Sequence, residues 1–199
     1  MQKLVEIEDF VVIDETAAID VASHGGRAKC LQRLIRLDLP VPQTVALPFK
    51  TVHKLASGEP VDTCQVLSHF GDGPLVSVRP SSEDPDWGGP GAILNIGMND
   101  ARHAEFANLL GHEAADQLYV RFIQTYSVQV AHLDPDVFDS IESGSPDMLA
   151  LMLDAYEDET EEPFPQDPAR QLADVLRSMA RMWDCLLYTS DAADEHRDV

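Results

Sequence analysis

The segment over residues 74–100 constrains the fold of this chain more than any other segment. It opens with a short apolar, β-branched run that ends at Arg79, and it continues through a stretch rich in glycine and proline. A second strand-like run follows over residues 94–100. Such runs are typical of β-strands, and glycine with proline between them indicates a loop. We therefore predict two strands joined by a Gly/Pro-rich loop, with Arg79 at the end of the first strand.

Arg79 is the first candidate binding residue. The run over residues 75–78 is apolar enough for a central strand, and central strands of open α/β sheets end at ligand crevices. A guanidinium at that position forms the paired hydrogen bonds that phosphate oxygens accept. Two interpretations stay open from the residues alone: a phosphate ligand, or a structural ion pair with Asp84 or Asp86.

A second candidate lies where Gly25, Gly26 and Arg27 precede a predicted helix over residues 27–37, with Ser23 as the predicted N-cap. Bare amides at a helix start and the helix dipole attract an anion, and an arginine adds a bidentate donor. A tight turn followed by a surface arginine is the alternative. The neighbouring residue, His24, is expected in a solvent-exposed turn.

The third candidate is the loop that contains Gly88, Gly89 and Gly91. Three glycines within five residues permit a close approach between the backbone and a ligand. The loop is not a Walker motif, because no Gly-Lys-Ser/Thr follows, and it is not a dinucleotide fingerprint. An ordinary flexible loop explains the same composition.

The charge balance excludes several classes of partner. Acidic residues outnumber basic ones 35 to 14, which gives a formal net charge of −21. Nucleic acids and anionic membranes bind basic surfaces, so we expect neither as a partner. The termini and apolar runs show no signal peptide and no bilayer-spanning stretch, which favours a cytoplasmic protein. Cysteines and histidines lack metal-ligand spacing, so no metal site is predicted, and no catalytic constellation is found.

Hydrophobic periodicity predicts an α/β (α+β) unit followed by a helical layer. A strand is predicted over residues 10–13, and short helices over residues 49–57 and 61–70. From residue 101 the pattern is mainly helical, with an acidic solvated run over residues 154–162. The longer helices are predicted over residues 114–131, 146–156 and 169–183, the last with Asp167 or Gln166 as its cap and Pro168 in its first turn.

The final residues are expected to be foreign to the protein. Residues 185–195 resemble the translation, in one reading frame, of a sequencing-library adapter. Residues 196–199 would then be the translation of an index and of the constant bases that follow the adapter. We therefore expect the native part to cover residues 1–184 and residues 185–199 to be non-native. On this interpretation the chain is the front piece of a longer protein.

Four blocks in the chain resemble, in order, the ATP-binding domain of pyruvate phosphate dikinase. The family pattern Gly-Gly-Lys-Gly/Ala, a helix and then Gly-Leu-Pro-Val-Pro is similar to the first block. The family's helix Arg-Arg-Phe-Ile-Gln-Met-Tyr/Phe is similar to the third. The blocks are residues 25–28 with 39–42, residues 74–100, residues 121–126, and residues 164–168 with Gln171, Leu172 and Trp183.

The resemblance implies the N-terminal lobe of an ATP-grasp domain. The family passes the β-phosphate of ATP to a histidine on a swivelling domain, and a barrel then uses it to make phosphoenolpyruvate. Arg27 takes the place of the family's phosphate-binding lysine, Arg79 that of its arginine, and residues 85–92 that of its closing loop. The implied nucleotide-binding residues are Gly25, Gly26, Arg27, Arg79, Gly88, Gly89 and Gly91. Catalytic residues, Mg²⁺ ligands and the barrel are expected outside this piece, which should be inactive alone.

The chain departs from the family at several of these positions. Arginine replaces lysine at residue 27, Pro80 and Ser81 replace Ser-Gly, and the loop over residues 86–92 lacks the family's acid and hydroxyl. A non-catalytic nucleotide-binding regulatory module is therefore an alternative, and an acidic interaction domain that binds no nucleotide is another. Expected partners are a nucleotide and the missing C-terminal domains, with a homodimer as the assembly considered for the full-length protein.

Overall fold

The computed structural model describes residues 9–83, 90–142, 144–145 and 147–194. Within these ranges it has seven α-helices and four short strands, so the predicted mixture of α and β structure is confirmed. The chain divides into two compact units. The first contains Met1–Asp62, Pro80–Pro90 and Ala180–Val199, and the second contains Thr63–Arg79 and Gly91–Met179.

Among its described residues, the first unit contains one small sheet and two complete helices. β1 (Val11–Val12) pairs antiparallel with β2 (Val45–Ala46), and both strands are apolar and short. The helices are α1 (Val21–Arg36) and α2 (Phe49–Ser57); α2 has the bounds predicted from its sequence. The core of this unit is formed by buried apolar side chains from the segment between β1 and α1, from α1 and from β2, namely Ile13, Ile19, Ala28 and Ala46.

The start of α1 differs from the prediction. The N-cap is Asp20, whose carboxylate accepts the backbone N–H of Ser23 at 2.8 Å, so the prediction of Ser23 as the cap is wrong. Aspartate is as good a cap as serine, and here it lies one turn earlier. Gly25 then interrupts the helix with φ +79° and ψ 169°, a backbone conformation that is almost confined to glycine.

The second unit contains an antiparallel pair of strands, β3 (Val76–Val78) and β4 (Ile93–Ile96), which follows a short helix in the chain. Both strands of the predicted strand–loop–strand segment are therefore present. The prediction that residues 75–78 form a central strand of an open sheet is wrong for the described residues, since β3 pairs there with β4 alone. A parallel neighbour needs a crossover, usually helical, and the Gly/Pro-rich connection has the composition of a loop.

Helices make up the rest of the second unit, as predicted. Pro168 opens the last helix, and Asp167 accepts the N–H of Ala169 at 3.0 Å, which confirms the predicted cap. The acidic run over residues 154–162 lies mostly in the C-terminal part of a helix. The elements are α3 (Thr63–Ser68), α4 (Asp100–Leu110), α5 (His112–Gln129), a 3-10 helix (Pro135–Phe138), α6 (Met148–Thr160) and α7 (Pro168–Asp194), whose residues from Ala180 onward belong to the first unit.

Phe164 lies at the centre of the aromatic core of the second unit. Its ring is edge-on to four other rings, with centroid distances from 5.1 to 5.9 Å. Edge-to-face packing is the favourable arrangement for such pairs, because the positive ring edge faces the negative ring face. The partners lie on α5 and α6, and they are Tyr119, Phe122, Tyr126 and Tyr156.

Candidate functional site

The turn at Gly25 is packed directly against Ser81 and Ser82. A β-carbon built at Gly25 would lie 2.2 Å from Ser81 Oγ and 2.8 Å from the backbone nitrogen of Ser82. Both distances are shorter than any real contact, so glycine is required here for space as well as for backbone conformation. All three residues belong to the first unit.

The amides that follow Gly25 are already hydrogen-bonded within the protein. The N–H of Gly26 donates to the carbonyl of Ser82 at 2.7 Å, and the N–H of Arg27 donates to Ser81 Oγ at 3.3 Å. The premise that bare amides await an anion at this helix start is therefore wrong for these two groups. Backbone N–H groups withdrawn from water need a partner, and the chain supplies one from a segment more than fifty residues away.

The Arg27 side chain is the part of this turn that stays available. It is exposed on α1, and among the described residues it has no hydrogen bond or ion pair to a side chain or a carbonyl. A guanidinium in this state offers its planar donors to solvent or to a phosphate. The structure therefore shifts the candidate anion contact at this turn from the backbone to the side chain of Arg27.

Arg79 immediately follows β3 and belongs to the second unit. Its side chain is exposed, and within the described ranges it has no ion pair. The alternative of a structural ion pair involved Asp84 or Asp86, which lie outside the described residues. Arg79 thus presents a charged donor at a strand end, as predicted, although that strand belongs to a two-stranded antiparallel sheet.

The loop glycines are only partly described. Gly88 and Gly89 lie outside the described residues. Gly91 lies in the second unit, where a β-carbon on it would be 3.8 Å from Gln129 Nε2, an ordinary van der Waals distance. The space around Gly91 therefore does not demand a glycine, in contrast with Gly25.

His24 is buried, so the expectation of a solvent-exposed turn residue is wrong. It is 7% exposed, and neither ring nitrogen has a hydrogen-bond partner among the described residues. Nδ1 lies 3.9 Å from a carboxylate oxygen of Asp20, the N-cap of the same helix. The residue types around His24 do not report this burial.

Trp183 also contacts Ser81 beside this turn, although it was not among the site residues predicted from the sequence. Its indole N–H donates to the carbonyl oxygen of Ser81 at 3.0 Å, and the ring is 6% exposed. The sequence signal was limited to an apolar position in the last predicted helix and in a family-like block. The contact with Ser81 spans 102 residues of chain, so local patterning carries no trace of it.

The described residues do not provide a metal site. They contain no group of three or more His, Cys, Asp or Glu side chains that could hold an ion. Among the helices that the structure describes, none combines the length and the apolar character needed to cross a membrane.

Comparison with known proteins gives one consistent result. No family model matches the sequence. The chain is similar to pyruvate, phosphate dikinases. It is 27% identical over 209 residues to that of Rhizobium meliloti (strain 1021) and 26% identical over 195 residues to that of Entamoeba histolytica, alignments covering 85% and 80% of this chain. It is 32% identical to that of Clostridium symbiosum over an alignment of 129 residues, which covers 55% of this chain.

The similarity covers only part of each relative. The chain spans 23%, 22% and 15% of the length of these three curated relatives. The relation to pyruvate, phosphate dikinases that the sequence blocks indicated is thereby supported over most of this chain. The activity of the much longer relatives belongs to those proteins.

Proposed function

We propose that this chain is the ATP-binding portion of a pyruvate phosphate dikinase-like phosphotransferase, and that it is inactive by itself. In this proposal it forms the N-terminal lobe of an ATP-grasp domain. The observation that carries the proposal is Arg27, exposed and without a described side-chain partner directly after the glycine-only turn at Gly25. The similarity to three pyruvate, phosphate dikinases over as much as 85% of the chain supports it.

The arginines supply the chemistry that a polyphosphate needs. A guanidinium fork matches two phosphate oxygens and stays charged at any physiological pH, so the donor set of Arg27 and of Arg79 fits a nucleotide phosphate. ATP would supply the phosphoryl group that such an enzyme transfers. Each arginine would bind and orient phosphate oxygens and offset their charge, a contribution that is electrostatic rather than covalent.

The glycines have two proposed roles. Gly25 allows Ser81 and Ser82 to approach α1 closely, and the N–H of Gly26 donates to Ser82, which together fix the backbone that carries Arg27. Gly88, Gly89 and Gly91 are proposed to approach the phosphates through their backbones, as the position of this loop in the sequence suggests. Mg²⁺ ligands and the phosphorylated histidine are proposed to lie in parts of the relatives that this chain does not match.

Because the chain has a large negative net charge, its ability to bind ATP depends on where its few positive side chains lie. A formal charge of −21 repels an anion such as ATP at long range. Binding therefore requires local cations, and charge reversal at a phosphate contact should abolish it. Reversal at another exposed arginine makes the same change in net charge without touching the nucleotide.

The test is the protection of the 199-residue chain by ATP against thermal unfolding. A ligand at 100 times its dissociation constant stabilises the folded state by about 2.7 kcal/mol. We expect this protection to be lost in Arg79→Glu and in Arg27→Glu. The matched controls are Arg121→Glu for the second unit and Arg33→Glu on α1, both exposed, and they should retain it. Absence of protection in the unaltered chain, or equal loss in the controls, would overturn the proposal.

A non-catalytic nucleotide-binding module is the second candidate, because residues 86–92 lack the acid and the hydroxyl of the family loop. Sequencing the parent locus beyond the codon for Asp184 separates the two. A second ATP-grasp lobe, a histidine domain and a barrel would support the phosphotransferase. A reading frame without that histidine would leave the binding module. The same experiment tests our proposal that residues 1–184 are native and residues 185–199 are adapter-derived.

A further inference from the structure

Trp183 is held firmly inside the first unit. Its ring stacks on Phe49 with centroids 5.1 Å apart and planes 28° from parallel, and His53 is edge-on to it at 5.4 Å. His53 in turn donates through Nδ1 to the carboxylate of Asp184 at 3.1 Å. An indole fixed in this way presents its N–H in one direction only, and that direction leads to the carbonyl of Ser81 at 3.0 Å.

Ser81 connects the indole to the turn that carries Arg27. Its carbonyl accepts from Trp183, and its hydroxyl oxygen accepts the backbone N–H of Arg27 at 3.3 Å. The adjacent carbonyl of Ser82 accepts from Gly26 at 2.7 Å, and Gly25 leaves no space between the two segments. A displacement of Ser81 is therefore passed to the backbone of Arg27 through direct contacts.

We propose that Trp183 is a positioning residue for nucleotide binding, acting through Ser81 on the guanidinium of Arg27. The inference rests on the proposed function, in which Arg27 contacts phosphate. A planar guanidinium must be oriented to make two hydrogen bonds, so its contribution depends on where its backbone lies. A lysine ammonium is a point charge on a flexible stem and depends on that position much less.

The experiment measures the dissociation constants of ATP and of inorganic tripolyphosphate by calorimetry at a temperature where every variant is folded. Trp183→Phe removes the indole N–H and keeps a ring on Phe49. We expect it to weaken ATP binding by about fivefold, within the range of coupling between residues in one contact network. Ile13→Val is the matched control, because it loosens the hydrophobic core of the same unit without altering the cluster around Trp183 or its bond to Ser81. It should change the affinity by less than about twofold.

The decisive arm repeats Trp183→Phe in an Arg27→Lys background. If Trp183 acts through the orientation of the guanidinium, its effect should shrink to less than about twofold there, whereas general loosening of the fold would persist at full size. An undiminished effect, or no effect of Trp183→Phe in a chain that binds ATP, would overturn this inference and leave the proposed function standing. Failure of the unaltered chain to bind either probe would overturn both.

A second variant keeps the inference testable if Trp183→Phe does not fold. Ser81→Ala removes the oxygen that accepts from the Arg27 amide and leaves the carbonyl that accepts from Trp183. This variant interrupts the same connection between Ser81 and Arg27 instead of between Trp183 and Ser81. It should therefore weaken ATP binding by a similar factor of about five, and only when residue 27 is arginine. An unchanged dissociation constant in Ser81→Ala would contradict the inference.

Discussion

The side-chain oxygen of Gln171 accepts the backbone N–H of Gly97 at 2.8 Å, 74 residues away in the chain. The amide nitrogen of the same side chain donates to the carbonyls of Met98 at 2.9 Å and Pro165 at 2.6 Å. Gln171 is 0% exposed, so water cannot replace any of these bonds. One buried amide thus fastens the turn after β4 to α7 and to the segment that precedes α7.

We expect Gln171→Leu to destabilise the chain by roughly 3 kcal/mol, because each buried polar group left without a partner costs about 1–3 kcal/mol. Urea unfolding at neutral pH measures the free energy of unfolding. Gln117→Leu, at an exposed position of α5, is the control and should change it by less than about 0.5 kcal/mol. Similar values for the two variants would show that the contacts of Gln171 contribute little.

Gly25→Ala should be more destabilising than the same change at another glycine of similar backbone conformation. Gly111 has φ +91° and ψ 155°, close to the values of Gly25, but a β-carbon there would meet nothing within 4 Å. We expect Gly111→Ala to cost about 1–3 kcal/mol from backbone strain alone. Gly25→Ala adds the collision with Ser81, so its loss of thermal stability should be clearly greater. Equal losses would contradict the close packing of Ser81.

Phe164→Ala should be among the most destabilising single changes in the second unit. Removal of a buried phenylalanine typically costs about 3–5 kcal/mol, because it loses apolar burial and leaves a cavity. The change also removes four edge-to-face ring contacts. Leu109→Ala is the control, since Leu109 is 75% exposed and its truncation should have little effect. Chemical denaturation, followed by circular dichroism, distinguishes the two.

The buried tyrosines should make the chain sensitive to alkaline pH. Burial raises the pKa of Tyr126 well above its ordinary value, and the nearby Asp174 carboxylate, which accepts the phenolic hydrogen at 3.0 Å, raises it further. Burial also raises the pKa of Tyr119 and of Tyr156. The folded state therefore holds these protons more tightly than the unfolded state, so the stability they confer is complete below about pH 10 and decreases above it.

Two measurements check this pH dependence. Spectrophotometric titration should show these tyrosines ionising above about pH 10 in the folded chain and near pH 10 in concentrated urea. The free energy of unfolding of Tyr126→Phe should fall less steeply than that of the unaltered chain between about pH 9 and pH 11. Ionisation of every tyrosine near pH 10 without unfolding would contradict the burial of their hydroxyl groups.

Local signals in the sequence were sufficient for most of the secondary structure. The bounds of α2 follow from a proline before it, a glycine after it and an apolar period between them. Asp167 and Pro168 likewise mark the start of α7, because a cap and a first-turn proline act on neighbouring residues. The identity of the cap of α1 was less certain locally, since Asp20 and Ser23 are both good caps.

Two features depended on segments far apart in the chain: which strands pair, and which groups accept the hydrogen bonds of the backbone amides. The residues before Arg79 indicate a strand, but strand propensity does not specify whether its neighbour is parallel or antiparallel. In the same way, glycines before a helix indicate a tight turn, while nothing local shows that Ser81 and Ser82 occupy the amides of Arg27 and Gly26. The burial of His24 likewise has no local signal in the sequence.

The sequence by itself therefore determined most of the elements, the tight turn at the glycines near the start of α1 and the positions of the two arginines, because these depend on residues close together along the chain. Only the tertiary structure decided that Gly25 faces Ser81, that Trp183 holds Ser81, and that Gln171 fastens Gly97. The physical reason is that a buried donor or acceptor must be paired, but any compatible group can pair it. The packing of the whole chain decides which group becomes the hydrogen-bond partner.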